Sequence, residues 1–191
     1  ASNLLGVYCV TKNLGFESLS TLTSMSLLTP PPGRFEIVES PKGITAIVDY
    51  AHTPDALENV LKTIGSFNSG GERIITVVGC GGDRDRSKRP LMAKVAASAS
   101  SQVFFTSDNP RSENPDSIIA DMQAGLDPID KRKCIAISDR REAIRAAAAF
   151  AEEGDIVLVA GKGHETYQEI GEIKHDFNDR LVLREAFNPT N

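Results

Sequence analysis

Five short apolar runs, at residues 44–49, 74–79, 103–106, 134–137 and 156–160, recur along this chain, and helical stretches near 54–65, 89–99, 115–124 and 139–152 stand between them. Strands that lie parallel need a crossover of a dozen or more residues, and a helix supplies it. Runs such as IITVVG and DIVLVAG are apolar at consecutive positions, the pattern of strands covered on both faces. The sequence therefore predicts a Rossmann-like α/β fold: an open, mostly parallel sheet with helices on both faces. Near the end, ETYQEIGEIKHDF alternates polar and apolar residues around Gly171, which predicts an antiparallel hairpin, and DRLVLREAF predicts a closing helix.

The first thirty residues read differently. Leu4, Leu5, Val7, Tyr8 and Leu14 fit a helix that Gly15 terminates, and 18–28 continues with helical spacing. TPPPGR at 29–34 then stiffens the backbone, because each proline fixes its own φ and biases the residue before it away from helix. The expected division is 1–32, the end of a preceding domain with its linker, and 33–191, the α/β domain.

Composition narrows the classes of function. The 191 residues are 40% hydrophobic and carry a net charge of -5, enough apolar material for a proper core and no general basic face for nucleic acid. Cys9, Cys80 and Cys134 are far apart with no CxxC pair, which reads as reduced thiols in a cytoplasmic protein. No apolar stretch reaches the roughly 20 residues that span a bilayer. HETYQ at 164–168 is half of a zincin motif, but HExxH needs histidine where Gln168 stands, so no metal ligand is assigned.

In an open parallel sheet, ligands bind beyond the carboxyl ends of the strands. Those ends hold Asp49, 79–84, 108–111, Asp139 and 161–165. GCGGDRDRSKR at 79–89 combines three glycines with Arg84, Arg86, Lys88 and Arg89 and asks for an anion, although Arg84 replaces the last glycine of a dinucleotide fingerprint. In TSDNPR, Arg111 offers a planar fork for a carboxylate, Asn109 donates and accepts, Asp108 takes an ammonium proton and Pro110 stiffens the turn. AGKGHE adds Gly161, Lys162, His164 and Glu165, so the cleft has partners for a zwitterion. Asp49 and His52 flank a helix start at which Thr53 is the natural cap and Pro54 the first helical residue. Each stretch alone is also explicable as a capped turn.

Taken in order, GRFE (33–36), DYAHTPDAL (49–57), GCGGDRDRSKRP (79–90), SDNPR (107–111) and AGKGHETYQ (160–168) resemble the C-terminal part of the Mur ligases, and the resemblance runs from about Asn3 to the end. DNPR is the signature that family uses for meso-diaminopimelate rather than lysine. The resemblance implies an ATP-dependent, amide-bond-forming ligase of peptidoglycan synthesis, acting through an acyl phosphate on UDP-MurNAc-L-Ala-D-Glu, with ATP and Mg2+ as cofactors and a monomer as the working unit. It implies that Arg84, Asp108, Asn109, Pro110, Arg111, Gly161 and Glu165 contact meso-diaminopimelate, and that Asn3, Arg34, Asp49 and His52 face the nucleotide. No GxxxxGK[ST] occurs in the sequence, so the phosphate cradle and metal site are expected in a central domain outside these residues, and the 191 residues alone are expected to be inactive. The competing expectation is a non-catalytic α/β module that binds an amino acid or nucleotide. A Rossmann oxidoreductase would need a glycine fingerprint after its first strand, and VDYAHTP has none.

Overall fold

A computed structural model describes residues 2–28, 31–38, 40, 43–68 and 70–188, together with the side chains of all of these except Ser2 and Asn3. The chain divides into two compact units, 1–31 and 32–191. The first holds helices α1 (Ser2–Asn13) and α2 (Ser18–Ser26), the latter capped by Glu17, whose carboxylate accepts from the Leu19 and Ser20 amides.

The second unit is a six-stranded sheet of β1 (Glu36–Val38), β2 (Thr45–Asp49), β3 (Ile74–Cys80), β4 (Gln102–Ser107), β5 (Cys134–Ala136) and β6 (Ile156–Ala160), in the order β1-β2-β6-β3-β4-β5. All pairings are parallel except β1 with β2. Strand β1 is the element that periodicity does not reveal: three residues at an edge, with Ile37 facing solvent, carry no readable repeat.

Successive residues of β2, β3, β4 and β6 feed two cores. Ile47, Val78, Phe105 and Leu158 pack against α3 (Pro54–Phe67), α4 (Lys88–Ala99) and α5 (Pro115–Gln123) on one face. Val48, Val77, Phe104 and Val157 meet α7 (Arg140–Phe150) and α8 (Asp179–Phe187) on the other. Each such side chain, fully buried, contributes about 1.5–3 kcal/mol, so the sheet is held from both sides. A one-turn helix α6 (Pro128–Lys131) precedes β5, and the hairpin β7 (Tyr167–Ile170) and β8 (Ile173–Asp176) turns at Gly171 as the alternation predicts. The Thr53 hydroxyl caps α3 by accepting from the Ala56 amide at 3.3 Å, with Pro54 in the first turn.

Candidate functional site

Because β6, β3 and β4 are neighbours and parallel, their carboxyl-terminal loops meet at one edge of the sheet. They enclose a cleft of about 450 Å3, and Arg84, Asp108, Asn109, Arg111, Gly161 and Glu165 all line it. Tyr50, His52 and Thr53, after β2, form another part of its wall.

Lys162 is fully buried at the centre of the arrangement. Its ammonium donates to Asn109 Oδ1 at 2.8 Å and to Glu165 Oε2 at 3.0 Å, and stands 3.4 Å from Asp108 Oδ1. The Asn109 amide closes the ring by donating to Glu165 Oε2 at 3.0 Å. Both bonds fall on one oxygen of Glu165, and Oε1 accepts from no group among the described residues. Burial pushes the Glu165 carboxyl up, but the bonds from Asn109 and Lys162 outweigh it and hold the group below the usual carboxylate range. For Asp108 the balance reverses: burial raises it by more than Arg140 and Lys162 lower it. Two carboxyls of one cleft are thus moved in opposite directions, with Glu165 the firmly ionised one.

Beneath them lies a buried ion pair. Arg140 meets Asp179 through Nε at 2.8 Å and Nη2 at 2.7 Å, and donates to the carbonyls of Ser107 and Ala160, the last residues of β4 and β6. A side chain from α7 therefore ties together the two strand ends that launch DNPR and GKGHE.

The glycine loop after β3 is laced to the DNPR loop. The Gly82 amide donates to Asn109 O at 2.9 Å, and Arg111 Nη1 returns a bond to Gly82 O at 2.8 Å. A Cβ at Gly82 would fall on the Pro110 carbonyl, so only glycine fits. Glu113 completes the lacing: its carboxylate accepts from the Asp83 amide, Arg86 and the buried Arg89. The four basic residues of the loop therefore divide. Arg86 and Arg89 are committed to Glu113, while Arg84 and Lys88 are exposed at the cleft, Arg84 bonded only to the adjacent Asp83 carbonyl among the described residues.

Arg111 has a partner within the chain: its Nε is 3.2 Å from Glu169 of β7, and its left-handed backbone, φ 49°, is gripped by the hairpin, the Arg111 amide donating to Glu169 O and its carbonyl accepting from the Gly171 amide. Pro110 is buried behind the loop and accepts from the Glu113 amide rather than lining the cleft.

The residues read as facing a nucleotide separate. His52 lines the cleft, its ring 4.6 Å from that of Tyr50. Arg34 lies over the same Tyr50 ring at 5.1 Å, and His164 stands on it at 5.0 Å. Asp49 is buried with both carboxylate oxygens occupied, by the amides of Phe35 and Ala51, so it anchors the loop that presents Arg34. The side chain of Asn3 lies outside the described residues. Burial pushes the Cys80 thiol up to about 12, so this cleft thiol is no nucleophile. Sequence reasoning missed Lys162 as the hub, Glu113 as the tie, and Gln168, which donates to Asp108 O at 2.7 Å. For Lys162 a signal existed, a lysine between two glycines at a strand end; for Glu113 and Gln168, only the tertiary fold reveals the partner.

The cleft of this doubly wound domain is thus walled by the loops after β2, β3, β4 and β6. The Mur ligase family's glutamate ligase domain matches residues 33–163, and the chain belongs to that family. It is 57% identical, over 98% of its length, to a UDP-N-acetylmuramoyl-L-alanyl-D-glutamate–2,6-diaminopimelate ligase of Bacteroides thetaiotaomicron, of which it spans 39%. A protein of the same description from Geobacillus thermodenitrificans is 50% identical over 96% of the chain and is 37% covered. Among solved structures, one of a UDP-N-acetylmuramoyl-L-alanyl-D-glutamate–2,6-diaminopimelate ligase superposes with a TM-score of 0.76 at 43% identity, over 98% of this chain and 38% of that one.

Proposed function

We propose that this chain is the amino-acid-binding part of an ATP-dependent ligase that joins meso-diaminopimelate to UDP-MurNAc-L-Ala-D-Glu. The observation that carries the reading is the cleft's pairing of opposite charges: an ionised Glu165 with one oxygen open, and Arg111 on the adjoining loop with Nη2 open. A ligand that satisfies both has an ammonium and a carboxylate, and Arg84 and Lys88 at the rim suit a second anionic group.

In the reaction class such ligases carry out, ATP phosphorylates the glutamyl carboxylate and an amine attacks the acyl phosphate. This chain's part is to hold the amine donor. Glu165 takes the ammonium at one end, Arg111 the carboxylate at the other, and Lys162 fixes Asn109 and Glu165 so that little ordering remains to be done when the ligand arrives. The Arg34–Tyr50–His52–His164 cluster is the surface assigned to the nucleotide, since it joins three tilted rings with a guanidinium. Among the described residues no group of three or more His, Cys, Asp or Glu side chains stands together to hold a metal ion, so Mg2+ is assigned to no residue of this chain.

The test is kcat/KM of the intact protein for meso-diaminopimelate and for lysine, in wild type, Arg111→Ala and Arg111→Lys. Arg111→Ala lowers use of diaminopimelate by roughly 2 to 5 kcal/mol, the cost of removing one partner of a buried hydrogen-bonded charge pair, with KM for ATP nearly unchanged. Arg111→Lys restores little, because a point charge does not reproduce the fork. Equal losses for both amino acids, or a rise in KM for ATP, overturn the assignment of Arg111.

A further inference from the structure

A guanidinium receives a carboxylate with two parallel bonds along either of two edges that share Nη2: Nη1 with Nη2, or Nε with Nη2. In Arg111 both edges are half taken. Nη1 is bonded to Gly82 O at 2.8 Å, and Glu169 Oε2 stands 3.2 Å from Nε. The two occupants are not equally easy to move. Gly82 is fixed by its own amide bond to Asn109 O and packs so close to Pro110 that a Cβ would meet the Pro110 carbonyl, whereas Glu169 offers a side chain on a hairpin, about a quarter exposed.

The Glu169 backbone, by contrast, is fixed. Its amide donates to Asn109 Oδ1 at 2.9 Å and its carbonyl accepts from the Arg111 amide at 3.1 Å, so neither bond that holds the loop uses the carboxylate. It also has somewhere to go. Lys174 is directly opposite Glu169 across the hairpin, close enough for a cross-strand charge pair, and its ammonium now rests over the Tyr167 ring at 4.3 Å.

We propose that Glu169 is a specificity-determining residue: a resident carboxylate on the Nε edge of Arg111 that competes with the distal carboxylate of an incoming diamino diacid and moves toward Lys174 when displaced. The proposal rests on the ligase reading of the cleft and adds a consequence. While Glu169 is in place, Arg111 stays paired even when the ligand has no second carboxylate, so the residue lowers affinity for the diacid and blunts discrimination against lysine. Removing it sharpens both.

The experiment is calorimetric titration of the intact protein with meso-diaminopimelate and with L-lysine, for wild type, Glu169→Gln, Glu169→Ala, Arg111→Ala and the Arg111→Ala/Glu169→Gln double variant. Because a partly exposed ion pair is worth about 0.2–1 kcal/mol, both Glu169 variants bind diaminopimelate about 1.4- to fivefold more tightly, while lysine binding is unchanged or weaker. In the Arg111→Ala background, Glu169→Gln has no effect. Weaker diaminopimelate binding in the Glu169 variants, equal tightening of lysine, or tightening that persists without Arg111 overturns the proposal while leaving the ligase reading intact. Failure of the wild type to bind either amino acid overturns both.

Discussion

Lys162 is the residue on which the cleft depends most. It lies fully buried among Asp108, Asn109 and Glu165, and replacing it by methionine removes the cation that the two carboxylates share. Lys162→Met is expected to cost about 3–5 kcal/mol, read from urea denaturation of the chain; a loss below about 1 kcal/mol would mean that the cleft carboxylates do not depend on Lys162. Glu113 gives a pH signature. Its bond from Arg89 above all holds it down to about 2 from the ordinary 4.5, so its contribution is present above about pH 4.5 and is lost as pH falls toward 2. Glu113→Gln is expected to lower the urea midpoint at pH 7 and to flatten the decline between those two values; an unchanged acid limb would remove Glu113 from that role. At this scale the sequence displayed the chemistry of DNPR and GKGHE without their pairings. Arg111 and Glu169 are far apart in the chain and share no motif, so only the hairpin's docking on the DNPR loop reveals that they meet.

Elements carry a different kind of information. The buried strands β2, β3, β4 and β6 were legible because each contains a run of consecutive apolar residues, and α3 because Thr53 and Pro54 mark its start. Strand β1 and helix α6 were not, since three or four residues hold too few side chains to set a period. Two glycines separate local propensity from tertiary fit. Gly65 lies inside α3 with open space where a Cβ would project, so Gly65→Ala is expected to stabilise the chain by about 0.5–1 kcal/mol in thermal denaturation. Gly82→Ala, driven against the Pro110 carbonyl, is expected to destabilise it by about 1–3 kcal/mol and to part the two cleft loops. If both changed stability with the same sign, the contact between the loops would not be what holds Gly82.

For the whole molecule, every residue of both cores belongs to 32–191, so that unit carries a complete interior of its own. A chain reduced to 32–191 is therefore expected to melt in one cooperative calorimetric transition, and a broad or absent transition would show that 1–31 is needed for the fold. The order of the sheet bears on how this unit comes into being. β6, which pairs with both β2 and β3, is the last strand of the sheet to be synthesised, and without it β1-β2 and β3-β4-β5 are two half-sheets with nothing to join them. From the end of β2 at Asp49 to the end of β6 at Ala160, a ribosome adding about 5–20 residues per second takes on the order of ten seconds. The inner edge of β2 stands open throughout that interval and that of β3 from Cys80 onward, long enough for wrong partners to find them, and the nascent chain is most in need of a chaperone just before its central strand emerges.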